Sequence, residues 1–318
     1  MKKLVAIIVG GTGQYGIFTG KLLLSKNYKV IITTRSIRKK LNILKPNKNL
    51  ILQKLNIYDK KKIEKLILKF KPNLIFYYAG QSSPDKSFKL KKETFKSNFV
   101  GCKNFLDIIN KKKINCKFLN ATSCEIFGKI NGKIKVSSIK RPVNPYGLSK
   151  LKSYEITKNY RIRDNLKSYN AIIFNTESIL RDKNFLIPKI CNAAVNAEKY
   201  GFKTEFGNLN ISREWNWCPE QVEYIYKFLK KKPQDFILSN GKNYSAIKMM
   251  KFAFEYFNLD YKKYVLINRK FFRKKDVNNK RSSYIDCLKR NKIKRNSKIY
   301  GEKIINLLVK NYLNEKRN

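Results

Sequence analysis

Two hydrophobic rhythms alternate along this chain. Short, almost wholly apolar or β-branched runs recur at Leu4–Val9, Lys29–Thr33, Leu74–Tyr78, Cys116–Asn120 and Tyr169–Phe174. Runs this short and this apolar suit strands buried on both faces. Between them lie segments with helical spacing: Ile17–Ser25, Lys60–Phe70, Thr94–Asn110 and Ser149–Arg163. In the second of these, Ile63, Leu66, Ile67 and Phe70 form one stripe; in the third, Phe95, Phe99, Cys102, Phe105, Leu106 and Ile109 are expected inward. Regular strand–helix alternation predicts an α/β fold with a doubly wound parallel sheet. After Asn175 the pattern loosens. Phe185–Lys199, Pro219–Lys230, Lys248–Phe257 and Glu302–Tyr312 read as helices, and Val265–Asn268 as a short strand. The expectation is a first domain over residues 1–175 and a smaller substrate-binding lobe over 176–318, with room for one segment to return to the first domain.

Composition narrows what such a fold is for. The chain has 318 residues, 71 Lys+Arg against 22 Asp+Glu, and a formal charge of +49. That charge invites a nucleic-acid reading. Only 13 of the basic residues are Arg, however, and the lysines are spread over the whole length. Sequence-specific readers lean on localised Arg forks, so lysine-rich composition is the better account and no specific nucleic-acid partner is expected. The apolar run after Met1-Lys2-Lys3 stops at Val9 and meets glycines, which suits a first strand in a soluble, cytoplasmic protein with no membrane partner. Six scattered cysteines without a CxxC pair and a complete absence of His argue against a zinc site or any other metal. Lacking His, the chain must run its proton chemistry on Tyr, Lys, Glu, Asp or Cys.

Gly10-Gly11-Thr12-Gly13-Gln14-Tyr15-Gly16 follows the first strand and opens the first helix. Glycines there permit a tight turn and let the backbone approach a pyrophosphate at a helix N-terminus, the Rossmann-like dinucleotide arrangement. The second strand ends at Thr33-Thr34-Arg35-Ser36 with no carboxylate for a ribose 2′-hydroxyl; Arg35 suits the 2′-phosphate of NADP instead. Tyr146 and Lys150 stand four apart near a helix start and so share a face. An ammonium beside a phenol favours the phenolate, a base able to take a hydroxyl proton while hydride leaves carbon. In a chain this rich in Tyr and Lys, an exposed helix pair is the plain alternative.

The glycine loop, the segment Ala121-Thr122-Ser123-Cys124-Glu125-Ile126-Phe127-Gly128 and the downstream YxxxK together resemble the extended short-chain dehydrogenase/reductase family. Further stretches resemble GDP-mannose 4,6-dehydratases. Pro72–Ser83 is similar to their PDExxNLAAQSH, Ser123–Gly128 to TSExYG, and Asn144–Lys150 to SPYAVAK. Asn159-Tyr160-Arg161 is similar to NYRE, Ile173–Ser178 to LFNHES, Gly207–Trp215 to GNLDAxRDW, and Phe271-Phe272-Arg273 to the late RYFRP.

The resemblance implies an NADP-dependent lyase that removes water from GDP-mannose or another nucleotide sugar. It assigns Tyr146 as base at the C4 hydroxyl, Lys150 as its tuning partner, Ser123 as a hydrogen-bonding neighbour and Glu125 as base at C5. It implies cofactor contacts from Gly10, Thr12, Gly13, Gln14, Tyr15, Gly16, Arg35, Asn56, Ala79, Gln81, Tyr146 and Lys150. It puts Ser83 and Ser87 near the sugar, and Asn175, Glu177, Arg181, Lys189, Arg213 and Arg273 around the GDP, where Arg matches diphosphate geometry. It implies a homodimer or a tetramer, although the loop after Arg35 is shorter than the RRSS-type loop used in tetramer contacts. Asn56 stands where the family has an acidic residue, and Ser82-Ser83 where it has SH. A related reductase or epimerase, or a non-catalytic NADP-binding protein, would carry many of the same residues.

Overall fold

The computed structural model describes residues 3–36, 44, 46–272 and 280–315. Its contacts divide the chain into two units: Met1–Lys129, Val136–Ile173 and Gln221–Leu238 form one; Ile130–Lys135, Phe174–Glu220 and Ser239–Asn318 form the other.

The first unit is built on seven strands: β1 (Val5–Val9), β2 (Lys29–Thr34), β3 (Leu50–Lys54), β4 (Leu74–Tyr77), β5 (Lys117–Ser123), β6 (Ser168–Ile173) and β7 (Asp235–Leu238). They lie in the order β7-β6-β5-β4-β1-β2-β3, every neighbouring pair parallel. The order reverses direction at β1, where the chain runs outward first to β2 and β3, then crosses to β4. In open α/β sheets that crevice, beyond the strands' C-terminal ends, is where ligands bind. Ala6, Ile7, Ile8 and Val9 are all buried, as are Val30, Ile31 and Ile32, which explains why these strands read as unbroken apolar runs.

Helices α1 (Gln14–Ser25), α2 (Lys60–Phe70), α3 (Gly101–Lys111) and α4 (Pro145–Arg163) alternate with the strands. Two of them start at a side-chain cap. Asp59 caps α2 by accepting from Lys62 N–H, and Asn144 caps α4 by accepting from Gly147 N–H, with Pro145 in the first turn. One core of this unit joins Ile7, Val9 and Ile31 to Ile63 and Ile67 of α2 and to Phe105, Leu106 and Ile109 of α3.

The helix expected over Thr94–Asn110 is interrupted. A short helix over Lys91–Phe95 passes into a π-helical stretch, Lys96–Val100, before α3 begins. The wider turn rotates the faces, so a stripe counted through it at 3.6 residues per turn drifts off the core. Phe95 is therefore exposed, while the polar Thr94, Ser97 and Asn98 are buried.

The second unit holds α5 (Leu186–Tyr200), α7 (Ala246–Glu255), α8 (Glu302–Glu315) and the first turn of α6 (Cys218–Leu229), with several very short strand pairs. Ile187, Ile190, Ala194, Met249, Ala253, Ile304, Leu308 and Trp215 share its core. Among the described residues no helix is long and apolar enough to cross a membrane.

Candidate active site

The glycine turn sits at the end of β1. Gly10 takes φ +73°, and a Cβ there would lie 2.6 Å from the Cα of Ala79, at the end of β4. Gly16 lies so close to Gly11 that a Cβ would come within 2.3 Å of its Cα. Both positions thus require glycine, one for conformation and one for space. Gly13 is the N-cap of α1 and brings no side-chain oxygen to the first-turn N–H groups; a Cβ there would meet only the Gly10 carbonyl oxygen, at 3.6 Å. An open helix N-terminus with no capping side chain fits a pyrophosphate. Thr12, Gln14 and Tyr15 are half-buried around the turn, and the Tyr15 ring lies 5.6 Å from that of Tyr78.

Arg35 leaves the end of β2 into solvent, 3.6 Å from Glu93. Asn56 is exposed, and its Oδ1 accepts from Tyr58 N–H at 3.1 Å. After β4, Gln81 folds onto Ser83: its Nε2 donates to Ser83 O at 2.7 Å, and its Oε1 accepts from Ser83 N–H at 2.8 Å. Ser87, expected at the sugar, is fully buried, with its hydroxyl donating to the Pro84 carbonyl. Its hydroxyl proton is engaged within the local turn.

Ser123, Glu125, Tyr146 and Lys150 come together at the junction of β5 and α4. Ser123 ends β5, and its Oγ accepts from Glu125 N–H at 3.2 Å across the 3₁₀ turn Cys124–Ile126. The first turn of α4 lies on that turn: a Cβ on Gly147 would fall 2.6 Å from the Glu125 carbonyl oxygen. Tyr146 precedes Gly147 and is largely buried. One helical turn on, Lys150 is buried, with Nζ 5.9 Å from the Tyr146 ring centroid and donating to Ala121 O of β5 at 2.8 Å. Burial brings its ammonium down from 10.5 to about 8, partly offset by Cys102. A lysine so poised gives up its proton far more readily than an exposed one and still carries charge at neutral pH. Glu125 is half-buried, and its Oε2 accepts from Asn144 Nδ2 at 3.1 Å.

Two residues here escaped the sequence reading. Asn144 is one. The other is Asn98, which the π-helical stretch turns inward; its Nδ2 donates to Gln81 O at 3.1 Å and Ser149 Oγ at 3.0 Å. It joins the segment after β4 to α4. An asparagine directly before Pro145 was a legible capping signal, but nothing local announced either second partner.

The GDP-side residues lie in the second unit. The Asn175 carbonyl accepts from both the backbone and the side-chain nitrogen of Asn216. Glu177 is 3% exposed, with Oε2 3.9 Å from Arg181 Nε. Burial raises its carboxyl from 4.5 to about 7, an effect that Arg181 opposes. Glu177 lies against Arg181 in the interior of this unit. Arg181 stacks on the Phe185 ring, 3.5 Å from its centroid. Lys189 sits between the Phe206 and Phe271 rings at 4.9 and 5.0 Å, and burial lowers its pKa. Arg213 is buried and donates to Ser212 O at 2.9 Å. Beside it, Glu214 accepts from Ser282 N–H at 2.7 Å and from the hydroxyls of Ser239 and Ser282. Arg273 lies outside the described residues.

Comparisons with known proteins place the chain in a family. The family model described as GDP-mannose 4,6 dehydratase matches residues 7–299. A GDP-mannose 4,6 dehydratase of Arabidopsis thaliana is 30% identical over 86% of this chain and 78% of its own length. One from Caenorhabditis elegans is 32% identical over 79% of this chain and 70% of its own. Among solved structures, a dTDP-glucose 4,6-dehydratase from Streptomyces venezuelae with NAD bound superposes with a TM-score of 0.88 at 16% identity, covering 99% of this chain and 98% of that one. A UDP-glucose 4-epimerase from Thermus thermophilus in complex with NAD gives 0.84 at 17%, covering 98% of this chain and 99% of that one. The distant structures establish the fold, and the match over nearly the whole sequence establishes the kinship: this chain belongs to the GDP-mannose 4,6-dehydratase family.

Proposed function

We propose that the chain is an NADP-dependent nucleotide-sugar 4,6-dehydratase that converts GDP-mannose to GDP-4-keto-6-deoxymannose with loss of water. The observation that carries this reading is the junction of β5 and α4, where a phenol with a buried lysine one turn away shares a corner with a carboxylate. A reductase or simple epimerase needs the first two but has no use for a base at C5.

Tyr146, as phenolate, takes the proton of the C4 hydroxyl, and the Ser123 hydroxyl hydrogen-bonds the same oxygen. Lys150 stabilises the phenolate electrostatically and would hold the nicotinamide ribose. A nicotinamide, when bound, would supply the hydride acceptor for C4 and the hydride donor for C6. The 4-ketone acidifies the C5–H bond, and Glu125 removes that proton. The C6 hydroxyl departs as water with one proton, and another returns to C5, so substrate loses one water and both bases end as they began.

The glycine turn and the open α1 N-terminus suit the cofactor's pyrophosphate, and Arg35 its 2′-phosphate. An exposed pair such as Arg35–Glu93 contributes little, so the guanidinium is easily given up to a phosphate. Relatives named for GDP-mannose support the substrate assignment, and Arg181 and Arg213 supply guanidinium groups suited to a diphosphate. The reading extends to a homodimer in solution, which light scattering measures. The deciding experiment incubates the purified chain with NADP and a panel of nucleotide sugars and follows products by mass spectrometry. GDP-mannose should lose one water with no net NADPH. Stoichiometric NADPH consumption with a 4-keto sugar would select a reductase instead.

A further inference from the structure

The side chain of Asn144 makes two bonds in opposite directions. Its Oδ1 accepts from Gly147 N–H at 2.7 Å, and its Nδ2 donates to Glu125 Oε2 at 3.1 Å. The two partners fix which end is which: a backbone N–H needs an acceptor, and an ionised carboxylate needs a donor. Asn144 is itself buried, and its bond to Gly147 N–H is shielded from bulk water. The same turn is tied by its backbone, since Ser123 Oγ accepts from Glu125 N–H and Gly147 lies against the Glu125 carbonyl.

Where the resembling motif has SPY, this chain has Asn144-Pro145-Tyr146. A serine caps a helix as well as an asparagine does. Its hydroxyl is shorter, and it offers no second group pointing away from the cap. Asparagine spans both tasks, joining the helix end that carries Tyr146 to the carboxylate on the neighbouring turn.

We propose that Asn144 is a positioning residue for the elimination half of the reaction: it holds the Glu125 carboxylate in register with the Tyr146 helix through a neutral donor. A neutral amide orients the carboxylate and favours its charged form without cancelling the charge that makes it a base. This inference rests on the reading of Glu125 as the C5 base.

Asn144→Ser keeps a capping oxygen and removes the amide donor. Asn144→Asp keeps the cap and sets a like charge against Glu125. The wild type, both variants, Glu125→Gln and the Glu125→Gln/Asn144→Ser double variant are compared with GDP-mannose by kcat, KM, thermal midpoint and the absorbance of reduced nicotinamide during turnover. Asn144→Ser is expected to melt like the wild type, to keep KM within about twofold and to lose about 10- to 100-fold in kcat, as small misplacements of a reacting group do. Oxidation at C4 continues while elimination slows, so reduced cofactor accumulates during turnover. Asn144→Asp should lose more. The double variant should be no slower than Glu125→Gln alone, because the effect of Asn144 passes through that carboxylate. A kcat for Asn144→Ser within about twofold of the wild type, a loss without reduced cofactor, or an added loss in the double variant would overturn the proposal while leaving the dehydratase reading standing. A wild-type chain that removes no water from any nucleotide sugar would overturn both.

Discussion

Glu125 and Glu214 are held in opposite ways, and the difference separates chemistry from architecture. Glu125 stands half-buried on a turn, its carboxylate accepting from the neutral amide of Asn144. Glu214 is 2% exposed, and its two oxygens take a backbone N–H and two hydroxyls, from Ser282 and Ser239. A carboxylate that takes three donors in the interior is committed to holding its own framework. A half-buried one, oriented by the amide of Asn144, keeps a face open for chemistry. Glu214 therefore stitches the Ser212–Trp217 region to Ser239 and Ser282, and Glu125 is the residue placed to act on substrate.

Replacing each by its amide breaks the comparison most sharply. Glu125→Gln should cut turnover by at least about 100-fold, the usual cost of losing a general base, with the thermal midpoint unmoved. Glu214→Gln should do the reverse, lowering stability by about 2 kcal/mol through lost charge-assisted bonds, with turnover per folded molecule close to normal. Steady-state assays beside thermal melts read both. Equal loss of turnover in the two variants would dissolve the distinction.

Glu177 gives an intermediate case: a carboxylate buried like Glu214 but without its set of donors. Burial raises its pKa from 4.5 to about 7. A folded-state pKa above the unfolded one means that the contribution to stability is complete below about 4.5 and is lost as pH rises through about 7. Glu177→Gln does not ionise and escapes that loss. The variant should gain on the wild type between about pH 5 and pH 8, by about 2 kcal/mol, in melts run at each pH. A constant difference across that range would place the titration elsewhere.

The smallest effect concerns an exposed charge. Arg35→Ala should lower preference for NADP over NAD by about tenfold, the scale of one lost charge-assisted bond, leaving turnover at saturating cofactor and the melting point unchanged. Binding titrations with the two cofactors measure it. Unaltered preference would take Arg35 out of cofactor selection.

Much of the first unit was legible because its strands are buried on both faces. Leu74–Tyr77 and Ser168–Ile173 stand out as apolar runs, and the intervening helices carry 3.6-residue stripes. Leu50–Lys54 did not stand out: it is an edge strand, only partly buried, with Gln53 and Lys54 in it. Asp235–Leu238 did not stand out either, and its place beside β6 is a long-range pairing with no local mark. The stripe through Phe95 failed for a different reason, since a π-helical turn leaves no trace in hydrophobic periodicity.

The sequence by itself determined the alternating architecture, the glycine turn and the YxxxK pair, because each rests on spacing within a few residues or on backbone freedom at a glycine. It determined too that proton transfer must do without histidine. Tertiary structure decided what each polar group meets. Lys150 becomes an unusual lysine among so many because α4 presses it against β5 and withdraws it from water. Ser87 turned inward to serve its own turn, and Glu177 was buried against Arg181, because packing settled their neighbours. Asn144 gained its second task only when the turn after β5 was laid on the start of α4, joining positions 19 residues apart. Spacing along a chain fixes which groups share an element; desolvation and donor–acceptor pairing across elements fix what those groups can do.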